Sequence, residues 1–434
     1  MSLRRVFSRS ALNRLVFTIK QEGVGTAFRR GLSFIRRPAG PGTDHQHHVT
    51  DTNYLDSFWQ DIARKDAFHV SAAPALLTTR RRIAMIGDLY LPQCRKYRVA
   101  QLSELWGELD VDYNISHYAD VPRAVSLMQN ATHLMFYRTQ NTPQTAMYLY
   151  EARRLRLPVL YDLDDPLFSV SAYETYENMK ALPASMKAHF LSEAPKYLSA
   201  MNQADMITVS TPGMVEHTLA YTARPVHFRR NFADSETVSA SEAALSKAGR
   251  QVGAPFRVGF ASGSMGHEID FALIAEDIIG FLDAAPDRQL VIMGHFDETL
   301  LPEPLRGRVE SHKFSSYEAY LETLSTVDCA VMPLTDDAFN RCKSGVRVID
   351  AAAVAVPSLV GTVSDMAQMV SDQNTGFVIP KGESWRAALD TLAQDRALVT
   401  QMGQAARASL LEHWTARTTL PVVEQAVIDW VQKG

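Results

Sequence analysis

The feature that most constrains the fold is a repeated alternation of short β-rich runs with stretches long enough to form helices. In the first half of the chain the β-rich runs span 81–88, 110–116, 132–139, 157–164 and 204–211. In the second half they span 256–262, 289–296, 328–334, 357–361 and 376–380. Such alternation predicts parallel sheets with helices on both faces, so we expect an α/β fold with two Rossmann-like doubly wound domains.

The boundaries between these parts follow from changes in composition. Residues 226–255 pass from a strand into a segment rich in Ser and Ala, which predicts the join between the two series. We predict four parts. They are a basic extension and linker at 1–53, a first domain at 54–245, a second domain at 246–412 and a terminal helix at 413–434.

Composition excludes several classes of protein. The chain has 434 residues, of which 46% are hydrophobic and 21% charged, typical of a soluble protein large enough for two domains. Its three cysteines, Cys94, Cys329 and Cys342, form no CxxC pair, which disfavours zinc and disulfides and favours a reducing compartment. We see neither a signal peptide nor an apolar run of the 18 or so residues that a membrane span needs, and we expect a cytoplasmic protein.

The charge is concentrated at one end. Residues 1–40 contain nine Lys or Arg and one acid, Glu22, giving a net charge of +8, while the remainder carries 35 bases and 47 acids. Such a head predicts peripheral contact with an anionic inner-membrane surface, and the alternative is a solvated extension. Nucleic acid is disfavoured as a partner because the rest of the chain is acidic.

Residues 38–53 read as a linker rich in Pro and Gly. His45, His47 and His48 lie within it among Pro and Gly, so a solvated loop is a better interpretation than a metal site. An amphipathic helix is plausible over 54–67.

Residues 338–361 combine a polar cluster, a helical pattern and a buried strand. The cluster includes Asn340, Lys343 and Ser344, and an apolar helical pattern follows before Pro357 opens a strand. The N-terminus of such a helix favours an anion, and Lys343 adds a charge suited to a diphosphate. Asp350 lies about two turns further, roughly 9 Å from Lys343 at 1.5 Å per residue, where it suits ribose hydroxyls. The alternative is an ordinary amphipathic helix.

A turn of small residues follows the first strand of the second series. Ser262, Gly263 and Ser264 lead to His267, and the turn offers hydroxyls and backbone N–H groups to a phosphate. Combined with Lys343 from a later loop, this turn predicts the donor side of a nucleotide-sugar site.

Three acids stand at the end of a predicted strand of the first domain, where open α/β sheets place their ligands. They are Asp162, Asp164 and Asp165. One of them is predicted to act as a general base toward a sugar hydroxyl, with Asp164 and Asp165 the candidates. The alternatives are a divalent ion or a structural role, since Asp165 before Pro166 is a good helix N-cap.

Basic and aromatic residues lie near the start of the first predicted helix of this domain. Pro92 and Gln93 precede a helical stretch that leaves Arg95, Tyr97 and Arg98 near its N-terminal end. We assign these three residues, with Asp162, to acceptor binding.

Four motifs in order carry a resemblance over residues 80–434. Cys94-Tyr97-Arg98-Val99, Tyr161-Asp162-Asp164-Asp165, Gly263-Ser264-His267-Asp270 and the sequence FNRCKS at 339–344 are similar to motifs of a subgroup of GT-B glycosyltransferases, in the large retaining class of bacterial polysaccharide and O-antigen sugar transferases. The resemblance implies two Rossmann-like domains facing across a cleft, with the donor held by the second.

The chain departs from that class at four positions of the donor site. In the family's pattern of two glutamates eight apart, Asp350 takes the place of the second, whose implied role is the ribose hydroxyls, and Cys342 takes the place of the first, which contacts the donor sugar. The family's Arg and Lys for the diphosphate appear as Ala261 and His267. Two smaller signs agree, namely Arg230-Asn231-Phe232 at the join and a terminal helix at 413–431.

We therefore expect a glycosyltransferase that moves a sugar from a nucleoside-diphosphate-sugar donor to a saccharide or lipid-linked saccharide acceptor in surface polysaccharide or glycoconjugate synthesis. The resemblance implies retention of stereochemistry, no requirement for a bound metal and no cofactor beyond the substrate. The alternatives are a GT-B sugar-nucleotide epimerase and a catalytically silent sugar-nucleotide-binding partner of a polysaccharide assembly, the latter favoured by Cys342.

Overall fold

The computed structural model describes residues 24–25, 28, 80–90, 94–247, 253–305, 307–418 and 422–433. The chain separates into two units, 1–60 and 61–434. In the first unit the described residues Val24, Gly25 and Phe28 are helical. Several predictions lie outside the described residues. They concern the rest of the basic head, the linker at 38–53 with its histidines, the helix at 54–67 and the helix start at Pro92 and Gln93. Both sheets of the described residues belong to the second unit.

Six parallel strands form the first sheet. They are β1 Arg82–Gly87, β2 Asp112–His117, β3 His133–Tyr137, β4 Val159–Leu163, β5 Met206–Val209 and β6 Val226–Phe228, in the order β2-β1-β3-β4-β5-β6. The π-helical segment Arg95–Ala100 follows β1 and continues into the first α-helix. The helices around this sheet are α1 Gln101–Glu108, α2 Val121–Gln129, α3 Pro143–Arg154, α4 Val170–Thr175, the 3-10 helix Glu177–Ala181, α5 Ala184–Met201 and α6 Pro212–Leu219. We call these layers the first domain.

Six further parallel strands form the second sheet. They are β7 Phe256–Ser262, β8 Arg288–Gly294, β9 Val309–His312, β10 Cys329–Met332, β11 Ser358–Gly361 and β12 Gly376–Ile379, in the order β12-β11-β10-β7-β8-β9. Its helices, which complete the second domain, are α7 Ser235–Lys247, α8 Glu268–Ala272, α9 Ala275–Asp283, two 3-10 turns Glu298–Leu300 and Glu303–Leu305, α10 Tyr317–Leu324, α11 Ala338–Arg341, α12 Val346–Ala353, α13 Met366–Met369, α14 Trp385–Gln394 and α15 Arg396–His413. A last helix, α16, spans Gln425–Lys433.

Both faces of the second sheet are covered because its strands alternate apolar side chains between them. Leu290 and Ile292 of β8 pack with Phe281 on one face. Val291 of the same strand packs with Val348 of α12 on the other. Full burial of a side chain of this size contributes about 1.5–3 kcal/mol. The doubly wound α/β architecture predicted from the alternation is therefore confirmed for both sheets.

The strand that sequence reasoning missed is β9. Its sequence, Val309-Glu310-Ser311-His312, contains one apolar residue, and all four positions are partly or fully exposed. The strand pairs with β8 alone, at the edge of the sheet. An edge strand needs little apolar character, so its pattern is not recognisable in isolation.

Two segments connect the domains. Helix α7 contains the predicted boundary at 245–246, and its Ala244 packs in the core of the second sheet. Helix α15 runs to His413, whereas α16 begins at Gln425 and buries Val427 and Val431 in the core of the first sheet. The last helix therefore packs against the first domain. The predicted domain limits themselves stay predictions.

No helix in the described part of the chain is long and apolar enough to cross a membrane.

Candidate active site

A cavity of about 700 Å³ opens between the π-helical segment of the first domain and the carboxyl ends of the strands of the second. Open α/β sheets bind their ligands at this edge. Five of the residues predicted from the sequence line the cavity, namely Arg95, Tyr97, Ser262, Gly263 and Asp350. The other nine do not, namely Asp162, Asp164, Asp165, Arg98, Ser264, His267, Asn340, Lys343 and Ser344.

Asp350 is the carboxylate of this cavity. It lies on α12, is 6% exposed, and accepts a hydrogen bond of 2.7 Å from the Tyr317 hydroxyl. Burial raises the pKa of Asp350 to about 7, although the hydrogen bond from Tyr317 and the charge of Lys96 oppose this effect. The sequence predicted that this side chain binds ribose hydroxyls, and that role stays a prediction. One of its oxygens already accepts the hydrogen bond from Tyr317.

The first domain reaches into the same cavity through Lys96. Its Nζ lies 3.0 Å from Asp234 and 3.2 Å from Glu236, and 4.0 Å from the centre of the Tyr317 ring. A lysine stem and ammonium on an aromatic face combine apolar packing with a cation–π contact. Lys96 thus closes one side of the cavity beside Asp350 and Tyr317. It was not among the residues predicted for the site.

The small-residue turn after β7 forms another wall. Ser262 is buried and donates to the Ser264 carbonyl at 2.9 Å, whereas a Cβ built on Gly263 would meet nothing within 4 Å. Gly266 has φ +101°, and a Cβ there would lie 2.9 Å from the Asn178 carbonyl of the first domain. The turn is therefore open to a ligand at Gly263 and closed against the other domain at Gly266.

His267 is held by Asp270. Nδ1 of the imidazole lies 2.8 Å from Asp270 Oδ2, and that oxygen also accepts 2.7 Å from Asn178 Nδ2. Burial lowers the pKa of His267. Burial alone would raise the pKa of Asp270, but bonds from His267, Thr335 and Asn178 lower it overall. At neutral pH the arrangement is a neutral imidazole oriented by a carboxylate.

Arg347 is a cavity residue that sequence reasoning missed. It is the second residue of α12, lines the cavity, and its Nη1 lies 3.5 Å from the Ala261 carbonyl. Burial lowers the pKa of Arg347, with partial compensation from Asp270. The signal was available, because Arg347 and Asp350 are three residues apart and so share a face of one helix.

Lys343 points toward the first domain. Its Nζ lies 3.4 Å from Asp165 Oδ1 and 4.9 Å from the centre of the Phe339 ring, which stacks on Tyr176 at 4.2 Å. Burial alone would lower the pKa of Lys343, but Asp165 and Tyr176 outweigh this and raise it. The lysine is therefore part of a contact between the domains, and its assignment to the diphosphate stays a prediction.

The neighbours of Lys343 are also engaged. Asn340 is fully buried and donates to Thr335 and Asp337, so it organises the loop. Ser344 accepts a hydrogen bond of 3.2 Å from Asn231 of the connecting segment. Their proposed donor contacts stay predictions.

Cys342, in the place of the family's first glutamate, is turned away from the cavity. Its Sγ donates to the Ala338 carbonyl at 3.3 Å, and its own carbonyl accepts from Thr211 of the first domain at 3.0 Å. Burial raises the pKa of the thiol to about 12, so it stays neutral. A cysteine in this setting cannot replace a carboxylate.

Arg98 and Asp162, predicted to bind the acceptor, form a buried ion network with Arg229. All three are at most 1% exposed, and Asp162 lies 2.6 Å from Arg98 Nε and 3.2 Å from Arg229 Nε. Asn231 accepts 2.7 Å from Arg98 and donates to Ser344, so the network reaches the second domain. This geometry gives Arg98 and Asp162 a structural role and does not support a direct acceptor contact.

Asp164 lies beside that network at the end of β4. It accepts 2.9 Å from the Tyr137 hydroxyl. Burial would raise its pKa, but Arg98 and Arg138 outweigh burial and lower it. A general base works best with a pKa near the operating pH, so this environment disfavours that role for Asp164.

Asp165 does not cap a helix, contrary to the structural alternative. Helix α4 begins at Val170, and its N-cap is Ser169, which accepts 3.1 Å from the Ala172 N–H. Three residues separate Pro166 from the first residue of the helix. The Asp165 carboxylate instead contacts Lys343. Among the described residues, no group of three or more His, Cys, Asp or Glu converges as a metal site would require.

Residues 257–395, most of the second domain, match the family model described as "Glycosyl transferases group 1". No curated protein sequence matches the chain. Several solved structures are similar in fold. Sucrose-phosphate synthase from Thermosynechococcus elongatus is 14% identical with a TM-score of 0.51, covering 77% of this chain and 95% of that one.

Two further structures match this chain over their entire length. HepE from Anabaena, in complex with UDP, is 13% identical with a TM-score of 0.53, and 81% of this chain is covered. WaaG, a glycosyltransferase involved in lipopolysaccharide biosynthesis, is 12% identical with a TM-score of 0.53 over 81% of this chain. The fold is thus GT-B, and the second domain is similar to the group 1 glycosyl transferases. The resemblance drawn from the motifs is confirmed at this level.

Proposed function

We propose that this protein transfers a glycosyl group from a nucleoside-diphosphate sugar to a saccharide or lipid-linked saccharide. The observation that carries the proposal is the composition of the 700 Å³ cavity, which offers a buried carboxylate at Asp350 and an anion site at the start of α12. The helix N-cap, Gly345, provides no side-chain cap to the free N–H groups. A nucleotide needs both elements, one for the ribose and one for the diphosphate.

We propose one orientation of the nucleotide in this cavity. The ribose would lie at Asp350, the diphosphate toward Gly263 and the N-terminus of α12, and the base toward the loop after β9, all of which line the cavity. There Phe314 stacks on His295 with ring centres 4.8 Å apart. Helix dipole and backbone N–H groups then stabilise the charge that builds on the leaving diphosphate. The resemblance supports retention of stereochemistry as part of this proposal.

The experiment is a binding screen followed by a turnover assay. UDP, ADP and GDP are added at increasing concentration, and the unfolding temperature is recorded. A ligand at 100 times its dissociation constant adds about 2.7 kcal/mol of stability. UDP is the first probe because HepE has been solved with UDP. We expect one diphosphate to stabilise the protein, and its sugar conjugate to be consumed with an acceptor. The absence of stabilisation by every nucleotide would overturn the proposal.

A second candidate is a sugar-nucleotide-binding partner without catalytic activity. The orientation of Cys342 favours it, because no carboxylate stands where the family contacts the donor sugar. The same assay separates the two functions. Binding of the diphosphate without consumption of any conjugate, over a panel of saccharide acceptors, would support the silent partner.

We further propose that the basic head at 1–40 brings the protein to an anionic membrane surface, in keeping with a role in surface polysaccharide synthesis. The support is its net charge of +8, since each cation near such a surface contributes about 1 kcal/mol. Deleting residues 1–40 should release the protein from vesicles containing phosphatidylserine and leave turnover of a soluble acceptor unchanged. Equal vesicle binding by both forms would contradict this.

A further inference from the structure

The position of the cations around the cavity differs from that implied by the family pattern. At the two family positions for a diphosphate cation the chain carries Ala261, which has no charge, and His267. Nδ1 of His267 forms a hydrogen bond with the Asp270 carboxylate, and burial favours the neutral imidazole ring. Neither position therefore supplies a fixed positive charge.

We propose that Arg347 is the cation that meets the donor diphosphate, and that Lys343 instead joins the second domain to Asp165 of the first. This rests on the function proposed above. Arg347 Nη1 lies 3.5 Å from the Ala261 carbonyl, so its guanidinium lies against the strand end where the family places its arginine. In this proposal the positive charge comes from α12 instead of the strand end, and it lies beside Ala261, the family's arginine position.

Asp270 stabilises the charge of Arg347 only in part, and from beyond ion-pair distance. Within the part of the chain that the structure describes, Arg347 forms no ion pair, and its Nη1 contacts the neutral carbonyl of Ala261. Lys343, by contrast, is paired with Asp165 at 3.4 Å and does not line the cavity. An anion in the cavity thus finds a guanidinium that forms no ion pair with any described carboxylate.

Donors of two kinds border the same space, namely the Arg347 guanidinium and backbone N–H groups. Arg347 and Val346 belong to the first turn of α12, whose N-cap Gly345 offers no side-chain bond. Gly263 also lines the cavity, and a Cβ built on it would meet nothing within 4 Å. Backbone N–H groups at a helix N-terminus and a guanidinium fork together match the oxygens of a diphosphate, and arginine binds them bidentately.

The test compares a nucleoside diphosphate with its own nucleoside. The probe is whichever of UDP, ADP and GDP binds wild-type protein best, measured by titration calorimetry, with the matching nucleoside followed by ligand-observed NMR. Arg347→Met keeps much of the apolar stem and removes the charge. It should weaken diphosphate binding by about tenfold or more while the nucleoside affinity stays unchanged. Arg347→Lys should recover part of the loss.

Lys343→Met and Arg341→Met are the matched comparisons. Arg341 is an exposed residue of α11 that pairs with Asp336 outside the cavity. We expect both variants to keep diphosphate affinity within about twofold of wild type. Unfolding curves of all variants check that each is folded.

The outcomes separate the two proposals. Wild-type binding of a diphosphate, with Arg347→Met unchanged or with Lys343→Met losing the affinity instead, would overturn the role of Arg347 and leave the proposed function standing. If wild-type protein binds none of the three diphosphates, both proposals fail. An equal loss of nucleoside and diphosphate affinity in Arg347→Met would also overturn the inference, because it would indicate a distorted cavity.

Discussion

Tyr317 donates a hydrogen bond of 2.7 Å to Asp350 inside the 700 Å³ cavity. The contact joins α10 to α12 and keeps the carboxylate in place before any ligand enters. Because both residues are largely buried, the charge on Asp350 has an energetic cost in the free protein, and this cost is measurable.

Asp350→Asn should make the free protein more stable above neutral pH. The folded-state pKa is about 7 against an ordinary value of 3.8, so the folded state holds the proton more tightly than the unfolded state. This contribution to stability is present at acidic pH and is lost as the pH rises from about 4 to about 7. Asparagine does not titrate. The unfolding free energy of the variant, relative to wild type, should therefore increase between pH 5 and pH 8 in urea titrations.

The same substitution should weaken donor binding. Ribose hydroxyls carry no developing charge, so the loss is felt about equally by the bound donor and the transition state, and the expected signature is a raised KM with little change in kcat. A pH-independent difference in stability, together with unchanged nucleotide affinity, would contradict both the burial and the role of Asp350.

Lys343 and Asp165 should couple modestly in a double-mutant cycle. The side chains are 23% and 29% exposed and 3.4 Å apart, so solvent screens the pair and we expect about 0.5–1 kcal/mol of coupling in unfolding free energy. Lys343→Met and Asp165→Asn are compared singly and together. Additive effects on stability would mean that the contact contributes nothing to the joining of the domains.

Asp164→Asn should destabilise the protein. Arg98 and Arg138 lower the pKa of Asp164 despite its burial, so its charge contributes stability at pH values above about 4 that is lost on acidification. Removing the charge leaves these arginines undercompensated, at a cost of about 1–3 kcal/mol.

Urea unfolding at pH 7.5 measures this effect, and Asp165→Asn, in a more exposed pair, is the control with a change of about 0–1 kcal/mol. A loss of turnover in Asp164→Asn at wild-type stability would restore Asp164 as a catalytic candidate.

Gly213→Ala should weaken the contact between the domains. An ideal Cβ at Gly213, in α6, would lie 2.5 Å from the backbone carbonyl oxygen of Arg341 in the second domain, and a backbone atom cannot simply rotate away. Overpacking of this kind costs about 1–3 kcal/mol. Gly107→Ala in α1 is the control, because a Cβ there meets nothing within 4 Å. Calorimetry should show a lower unfolding temperature for Gly213→Ala alone, and equal temperatures for the two variants would refute the close approach.

Local patterns predicted the secondary structure around the site well. The strand Phe256–Ser262 was predicted with its observed bounds, and the helix and strand of 338–361 appear as α12 and β11. Such elements depend on the spacing of apolar residues within a few positions, which is readable from the chain. The helix Ala338–Arg341, inside the predicted loop, was missed because one turn shows no periodicity.

The direction of charged side chains was less predictable. Lys343 was expected in the cavity, but it pairs with Asp165, a residue 178 positions away. Arg98 and Asp162 were expected on the surface of the cleft, yet each is the other's buried partner. A charge leaves water only where an opposite charge or hydrogen-bond donors replace its hydration, and such partners come from distant parts of the sequence.

The sequence by itself thus determined the doubly wound class, the positions of most strands along the chain and the expectation of a site at the strand ends, since hydrophobic periodicity and turn residues act locally. Only the tertiary structure decided that Asp350 is covered by Tyr317, that Cys342 faces the Ala338 carbonyl and that Arg347 rather than Lys343 lines the cavity. The physical reason is that desolvation and charge pairing depend on neighbours in space, which the order of residues does not show.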